Sequence, residues 1–122
     1  MDYRFFYNER QLPCARLSMD HEAFGLWLTD ELASNLERLD EIANAIKDIL
    51  SNARQEYEWI GRDFVVRLNR DDAEVIALSL LQEYTEDELN DEDLELYDAE
   101  SRAMCGLEDF QELLLEWRDF LL

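Results

Sequence analysis

Leu32, Leu36, Leu39, Ala43, Ile46 and Leu50 recur at alternating spacings of four and three, and Ile42 and Ile49 widen the same stripe. Glu37, Arg38, Glu41 and Asp48 fall on the other side. That period predicts an amphipathic helix of about five turns. Thr29 is its expected N-cap, Asp30 and Glu31 fill a first turn where the helix dipole favours acids, and Ser51-Asn52 end it. Burying each Leu or Ile of such a stripe contributes roughly 1.5–3 kcal/mol before entropy is subtracted. The rest of the chain must therefore supply a surface for this helix to pack on.

The remaining segments read mostly as strands. Tyr3-Arg4-Phe5-Phe6-Tyr7 is short and aromatic, as strands prefer. Asn8 to Gln11 reads as a turn, and Cys14 to Met19 alternates faces behind Pro13, which suits the first position of a strand. Together they predict a hairpin. Ala23 to Leu28, around Gly25, reads either as a third strand or as an extended lead-in to the helix. Glu56 to Leu68 is strand-like, with Gly61 as a bulge or bend. Asn69 to Asp72 is a turn, and Ala73 to about Leu80 completes a second hairpin, with a helix from Asp72 as the competing reading. From Leu107 the helical period returns through Phe110, Leu113, Leu114, Trp117 and Leu121, with Gly106 as a cap. These elements predict one α+β domain over 1–122. Its core would be an antiparallel sheet of two hairpins, four to five strands in all, covered by two amphipathic helices.

Charge is distributed unevenly along this framework. The chain has 31 Asp and Glu against 11 Lys and Arg, a formal net charge of −20 on 122 residues. Thirteen of those carboxylates lie between Asp71 and Ser101, where there is no Lys or Arg. The apolar positions within 83–100 follow neither period, so this stretch is expected to be a long, acidic and mobile connection, at most one helical turn. Ten of the eleven cations are Arg, which forms two-pronged contacts with carboxylates, so several are expected to be tied up in pairs within the chain.

Several function classes are disfavoured by the same numbers. There is no basic stripe, and the net field repels phosphate, so direct nucleic-acid binding is not expected. No run of about eighteen apolar residues exists, so no membrane span is expected. Met1-Asp2-Tyr3-Arg4 lacks the basic and apolar regions of a secretion signal, which predicts a cytoplasmic protein. Cys14 and Cys105 form no CxxC and read as two free thiols of a reducing compartment.

Individual candidate sites are sparse. His21, the single histidine, stands beside Glu22 and could serve as a general acid/base or metal ligand, but a hydrogen-bonded structural role is the commoner one. Cys105 precedes the last helix, where a helix N-terminus can activate a thiol. A thiol-dependent enzyme using Cys105 with His21 is thus the alternative to a non-catalytic protein. Asn90 to Glu95 lacks the central Gly and the ligand rhythm of a Ca²⁺ loop, so no metal site and no cofactor is assigned. Trp27, Trp59 and Trp117 read as core packing.

The strongest functional feature is the dense carboxylate surface. It resembles a polyanion and suits a groove shaped for phosphates. Glu86, Asp87, Glu88, Asp91, Glu92, Asp93 and Glu95 are the expected partner-binding residues. A protein with a basic surface is the expected partner, and RNA polymerase and the ribosome are candidates. A structural homodimer, joined through the C-terminal apolar face around Trp117 and Phe120, is a further alternative.

Four groups of residues also carry a family likeness: Met1-Asp2-Tyr3; Ser18-Met19-Asp20-His21-Glu22 with Gly25 and Trp27; Asn35-Leu36 with Leu39-Asp40-Glu41; and Tyr97-Asp98-Ala99-Glu100-Ser101 leading to Cys105-Gly106-Leu107-Glu108-Asp109-Phe110. In these the chain resembles the uncharacterised bacterial YacL family, almost from end to end and most specifically from Tyr97 to Phe110. The resemblance implies a small acidic cytosolic bacterial protein. It brings no reaction, cofactor or catalytic residue with it.

Overall fold

In the computed structural model, which describes residues 1–83 and 100–122, the chain forms an α+β fold. Strands β1 (Tyr3–Tyr7) and β2 (Pro13–Leu17) pair antiparallel as the expected first hairpin, with Phe5 opposite Ala15 and Phe6 opposite Cys14. Strands β3 (Glu56–Ile60), β4 (Phe64–Asn69), β5 (Asp72–Ala77) and β6 (Arg102–Gly106) make a second, antiparallel sheet in that order. The two hairpins of the sequence reading therefore belong to separate sheets. The second sheet also gains β3, split from β4 by a turn at Gly61, and β6.

Helix α1 (Glu22–Leu26) runs directly into a wider π-helical turn over Trp27–Leu32, where the sequence suggested a strand or an extended lead-in. The reason lies in the contact this segment makes with β2. A Cβ on Gly25 would stand 2.9 Å from the Ala15 carbonyl oxygen and 3.2 Å from the Leu17 nitrogen, so only glycine lets the helix come this close. One turn further on, Thr29 Oγ1 accepts a hydrogen bond from the Ala15 N–H (2.9 Å) and donates one to the Ala15 carbonyl (3.3 Å). Gly25 and Thr29 together cover the free edge of β2, a position a third strand would otherwise fill.

Helix α2 (Leu36–Leu50) buries the expected stripe, with Leu39, Ile42, Ile46 and Ile49 inaccessible to solvent. Its N-cap is Asn35, whose Oδ1 accepts the Arg38 N–H at 3.0 Å, and not Thr29, whose oxygen is committed to Ala15. Its C-cap is Ser51, as expected. Strand β5 stops at Ala77, short of Leu80, and the chain turns into a short helix α3 (Leu78–Glu83). Between β4 and β5, Asn69 Oδ1 accepts the N–H groups of Asp71 and Asp72 and closes the predicted turn. Helix α4 (Leu107–Leu121) starts after Gly106 as its N-cap.

The core lies between the inner face of the four-stranded sheet and helices α1, α2 and α4. Phe64, Val66, Leu68, Ala73, Val75 and Ala103 point into it from the strands. Trp27, Phe24, Phe110 and Trp117 fill it as fully buried side chains. Trp27 meets Phe110 at 5.7 Å and Trp59 at 6.1 Å between ring centroids, a packing role for these aromatics. The hairpin closes the other side of α4: Phe5 meets Trp117 edge-on at 5.1 Å, and Tyr7 stacks on Phe120 at 4.8 Å. A smaller apolar cluster of Val65, Ile76 and Leu80 sits on the opposite face of the sheet, under α3.

Candidate functional site

The acidic residues expected to bind a partner, Glu86, Asp87, Glu88, Asp91, Glu92, Asp93 and Glu95, lie outside the described residues. What the structure does describe is where the cations of the chain have gone. Arg38 pairs with Glu41 (2.8 Å), Arg62 with Asp63 (3.2 Å), Arg67 with Glu58 (3.0 Å), Arg102 with Glu74 (2.5 Å) and Arg118 with Asp40 (3.0 Å). Four of these five carboxylates belong to the part of the chain outside 71–101. Arg54 lies over Tyr57, and Arg70 donates to Asn52. The expected pairing of arginines within the chain is thus observed.

The outward face of the four-stranded sheet shows how this neutralisation works. Glu58 stands opposite Arg67, Arg67 opposite Glu74, and Arg102 reaches diagonally to Glu74 from the β6 edge. Neighbouring strands therefore present alternating charge, the favourable arrangement for cross-strand pairs. Glu74 is nearly buried, so its pairing with Arg102 carries more weight than the exposed Arg62–Asp63 contact. An open groove of about 650 Å³ along β3 and β4 is lined by Arg54, Glu56, Glu58 and Arg67, so both signs of charge meet in it.

The first hairpin differs. Its outward face carries Arg4 directly opposite Arg16, and both guanidinium groups lie over the Phe6 ring, at 5.2 and 5.5 Å from its centroid. Among the described residues neither arginine forms an ion pair. Like charges directly opposite each other on a sheet are destabilising, and cation–π contact with Phe6 offsets part of that cost. Beside Arg16, the hairpin and α1 enclose a groove of about 280 Å³ floored by Phe6, Cys14 and Leu26. Glu22 lines it as well, and its Oε2 is buried with no hydrogen-bond donor among the described residues. The sequence reading missed this set. Its signal was the alternation of Arg4 and Phe6 on one strand and Cys14 and Arg16 on the next, which places all four on one face.

The thiol and histidine singled out from sequence are not brought together. His21 precedes α1, stacks on Phe24 at 6.0 Å, and shares an open cleft with Met19, Asp20 and residues Arg102 to Met104 of β6. Cys105 lies beyond that cleft, packed against the main core. Its position beside a helix N-terminus suggested an activated thiol, but the opposite holds: burial pushes the thiol up to about 12, and the Asp109 and Asp72 carboxylates add to the shift. Burial and the two acids therefore disfavour the thiolate at neutral pH. Cys14 is buried, and its Sγ donates to the Leu12 carbonyl at 3.6 Å.

The apolar face expected to join a homodimer is also engaged within the chain. Trp117 is fully buried, its Nε1–H donates to the Ala33 carbonyl at 2.9 Å, and Phe120 is covered by Phe5 and Tyr7. Among the described residues no three His, Cys, Asp or Glu side chains converge as metal ligands, and no helix is long and apolar enough to cross a membrane.

Comparison with known proteins bears on family more than on chemistry. The family model described as "Uncharacterised protein family (UPF0231)" matches residues 1–121. A UPF0231 protein of Shewanella baltica is 44% identical, covering 99% of this chain and 97% of its own. One from Photorhabdus laumondii is 37% identical over 100% of this chain and 96% of its own, and one from Cronobacter sakazakii is 37% identical over 99% and 97%. No solved structure matches. The end-to-end likeness to a bacterial family without an assigned function is therefore established, and the chain belongs to the UPF0231 family.

Proposed function

We propose that this chain is a non-catalytic accessory protein whose acidic segment docks on the basic surface of a nucleic-acid-handling complex, with RNA polymerase and the ribosome as the candidate partners. The observation that carries this reading is the combination of thirteen carboxylates over 71–101 with the engagement of Arg38, Arg62 and Arg118 by carboxylates outside that stretch. The acids that hold these three are Glu41, Asp63 and Asp40, which lie outside the acidic segment. The negative field over that segment is left for an external cation. At physiological salt its reach is about 8 Å, so it acts by contact and local steering.

Purified RNA polymerase and ribosomes, each titrated against the immobilised chain, test the reading. Affinity for one of them should fall at least about tenfold between roughly 100 and 300 mM salt. The combined substitution Asp91→Asn, Glu92→Gln, Asp93→Asn and Glu95→Gln should weaken it comparably at low salt. Binding indifferent to both changes would remove the electrostatic docking.

A further inference from the structure

We propose that the groove between the first hairpin and α1 is a binding site for a small zwitterion with an apolar side group, an apolar α-amino acid being the simplest member of that class. The site is built from the hairpin and α1, with Glu100 also on its lining. Its two walls carry opposite, uncompensated demands. On one wall stands Arg16, which faces Arg4 across the hairpin; Phe6 lies beneath both guanidinium groups, and neither has an ion pair among the described residues. A carboxylate there would relieve the repulsion and accept the paired N–H groups of a guanidinium. On the other wall stands Glu22, whose inner oxygen Oε2 has no donor among the described residues. An ammonium group in the groove meets the Glu22 carboxylate with charge as well as a hydrogen bond.

These two demands select the ligand. A simple anion meets Glu22 and a simple cation meets Arg16; each is repelled by one wall. A molecule with both signs meets both walls. Phe6, Cys14 and Leu26 supply an apolar floor for its side group. The volume of about 280 Å³ lies at the small end of ligand sites, room for one small molecule and not for a folded element or a long chain. The Thr29 hydroxyl, accepting from the Ala15 N–H and donating to the Ala15 carbonyl, already closes the β2 edge, so an added β-strand has no ladder to join there.

The test uses the full chain, isotope-labelled, with amide shifts followed during titration. L-leucine is compared with 3-methylbutylamine, which lacks its carboxylate, and with 4-methylpentanoate, which lacks its amine. Leucine should give saturable shifts at Phe6, Cys14 and Leu26, and each analogue should bind at least about fivefold more weakly, as the loss of a charge-assisted contact requires. Arg16→Gln and Glu22→Gln, both exchanges of a charged for a neutral polar side chain, should each weaken leucine by at least about fivefold. The proposal is overturned if leucine gives no saturable shift at those amides up to about 50 mM, an affinity too weak to represent a built site. A smaller discrimination against either analogue by the native chain, or a smaller loss in either variant, overturns it as well.

Discussion

On the four-stranded sheet Glu58, Arg67, Glu74 and Arg102 alternate in sign across neighbouring strands, whereas the two-stranded hairpin sets Arg4 against Arg16. Both faces point away from the core, and both are built from the same scarce arginines. The first arrangement satisfies its charges internally and is a stability device. The second leaves them without an ion pair among the described residues, beside a groove that also holds the Glu22 carboxylate, which is how a binding surface differs from a structural one. Where a chain with so few cations sets two of them face to face is therefore more informative than where it places its many acids.

Each sheet also carries one cysteine, and the largest expected effect concerns the one on β6. With Cys14 replaced by Ala, alkylation of Cys105 in the folded chain should be about a thousandfold slower than in the unfolded chain at neutral pH, since the thiol moves from 9.0 to about 12. The linked stability effect has a definite sign. The folded chain holds the thiol proton more tightly than the unfolded one, so stability falls as pH rises from about 9 towards about 12. Cys105→Ala should remove that part of the alkaline loss, read as urea midpoints at several pH values.

Stability variants separate the two faces further. Glu74→Ala strands Arg102 in a half-buried position and should cost roughly 2–4 kcal/mol in urea unfolding. Gly25→Ala forces α1 away from Ala15 and should cost about 1–3 kcal/mol, with the loss concentrated in hydrogen-exchange protection of the hairpin. If the four-stranded sheet lost protection equally, the hairpin would not be the separately seated unit described above. The smallest effect has the opposite sign: Arg4→Glu places an acid opposite Arg16 and should stabilise the chain by about 0.2–1 kcal/mol.

Much of this architecture could be read before the coordinates, and the parts that could not share a cause. The helix over Leu36–Leu50 announces itself by period, as does the one over Leu107–Leu121, because each buries a full stripe. The first hairpin follows from the aromatic strand and the alternating one behind Pro13. Trp27 to Leu32 misleads because Phe24, Trp27 and Leu28 are all buried, so no polar face marks a helix, and Gly25 looks like a breaker when it is a seat. Thr29 looks like a cap because its hydroxyl is free in the sequence; only the fold shows that Ala15 uses it. Strand β6 is short, and its inward residues, Ala103 and Cys105, are small, so its alternation is faint. The Arg4–Phe6–Arg16 set emerges only when register is known. In each case the missing term is a partner distant in sequence.

The central claim is that the dense carboxylates of 71–101 exist to meet a cationic surface. The most direct measurement is the salt dependence of binding to purified RNA polymerase and to ribosomes, for the native chain and for the variant neutralised at Asp91, Glu92, Asp93 and Glu95. The account predicts steep loss of affinity with salt for the native chain and a weaker, flatter dependence for the variant. Equal affinities with parallel salt curves would contradict it.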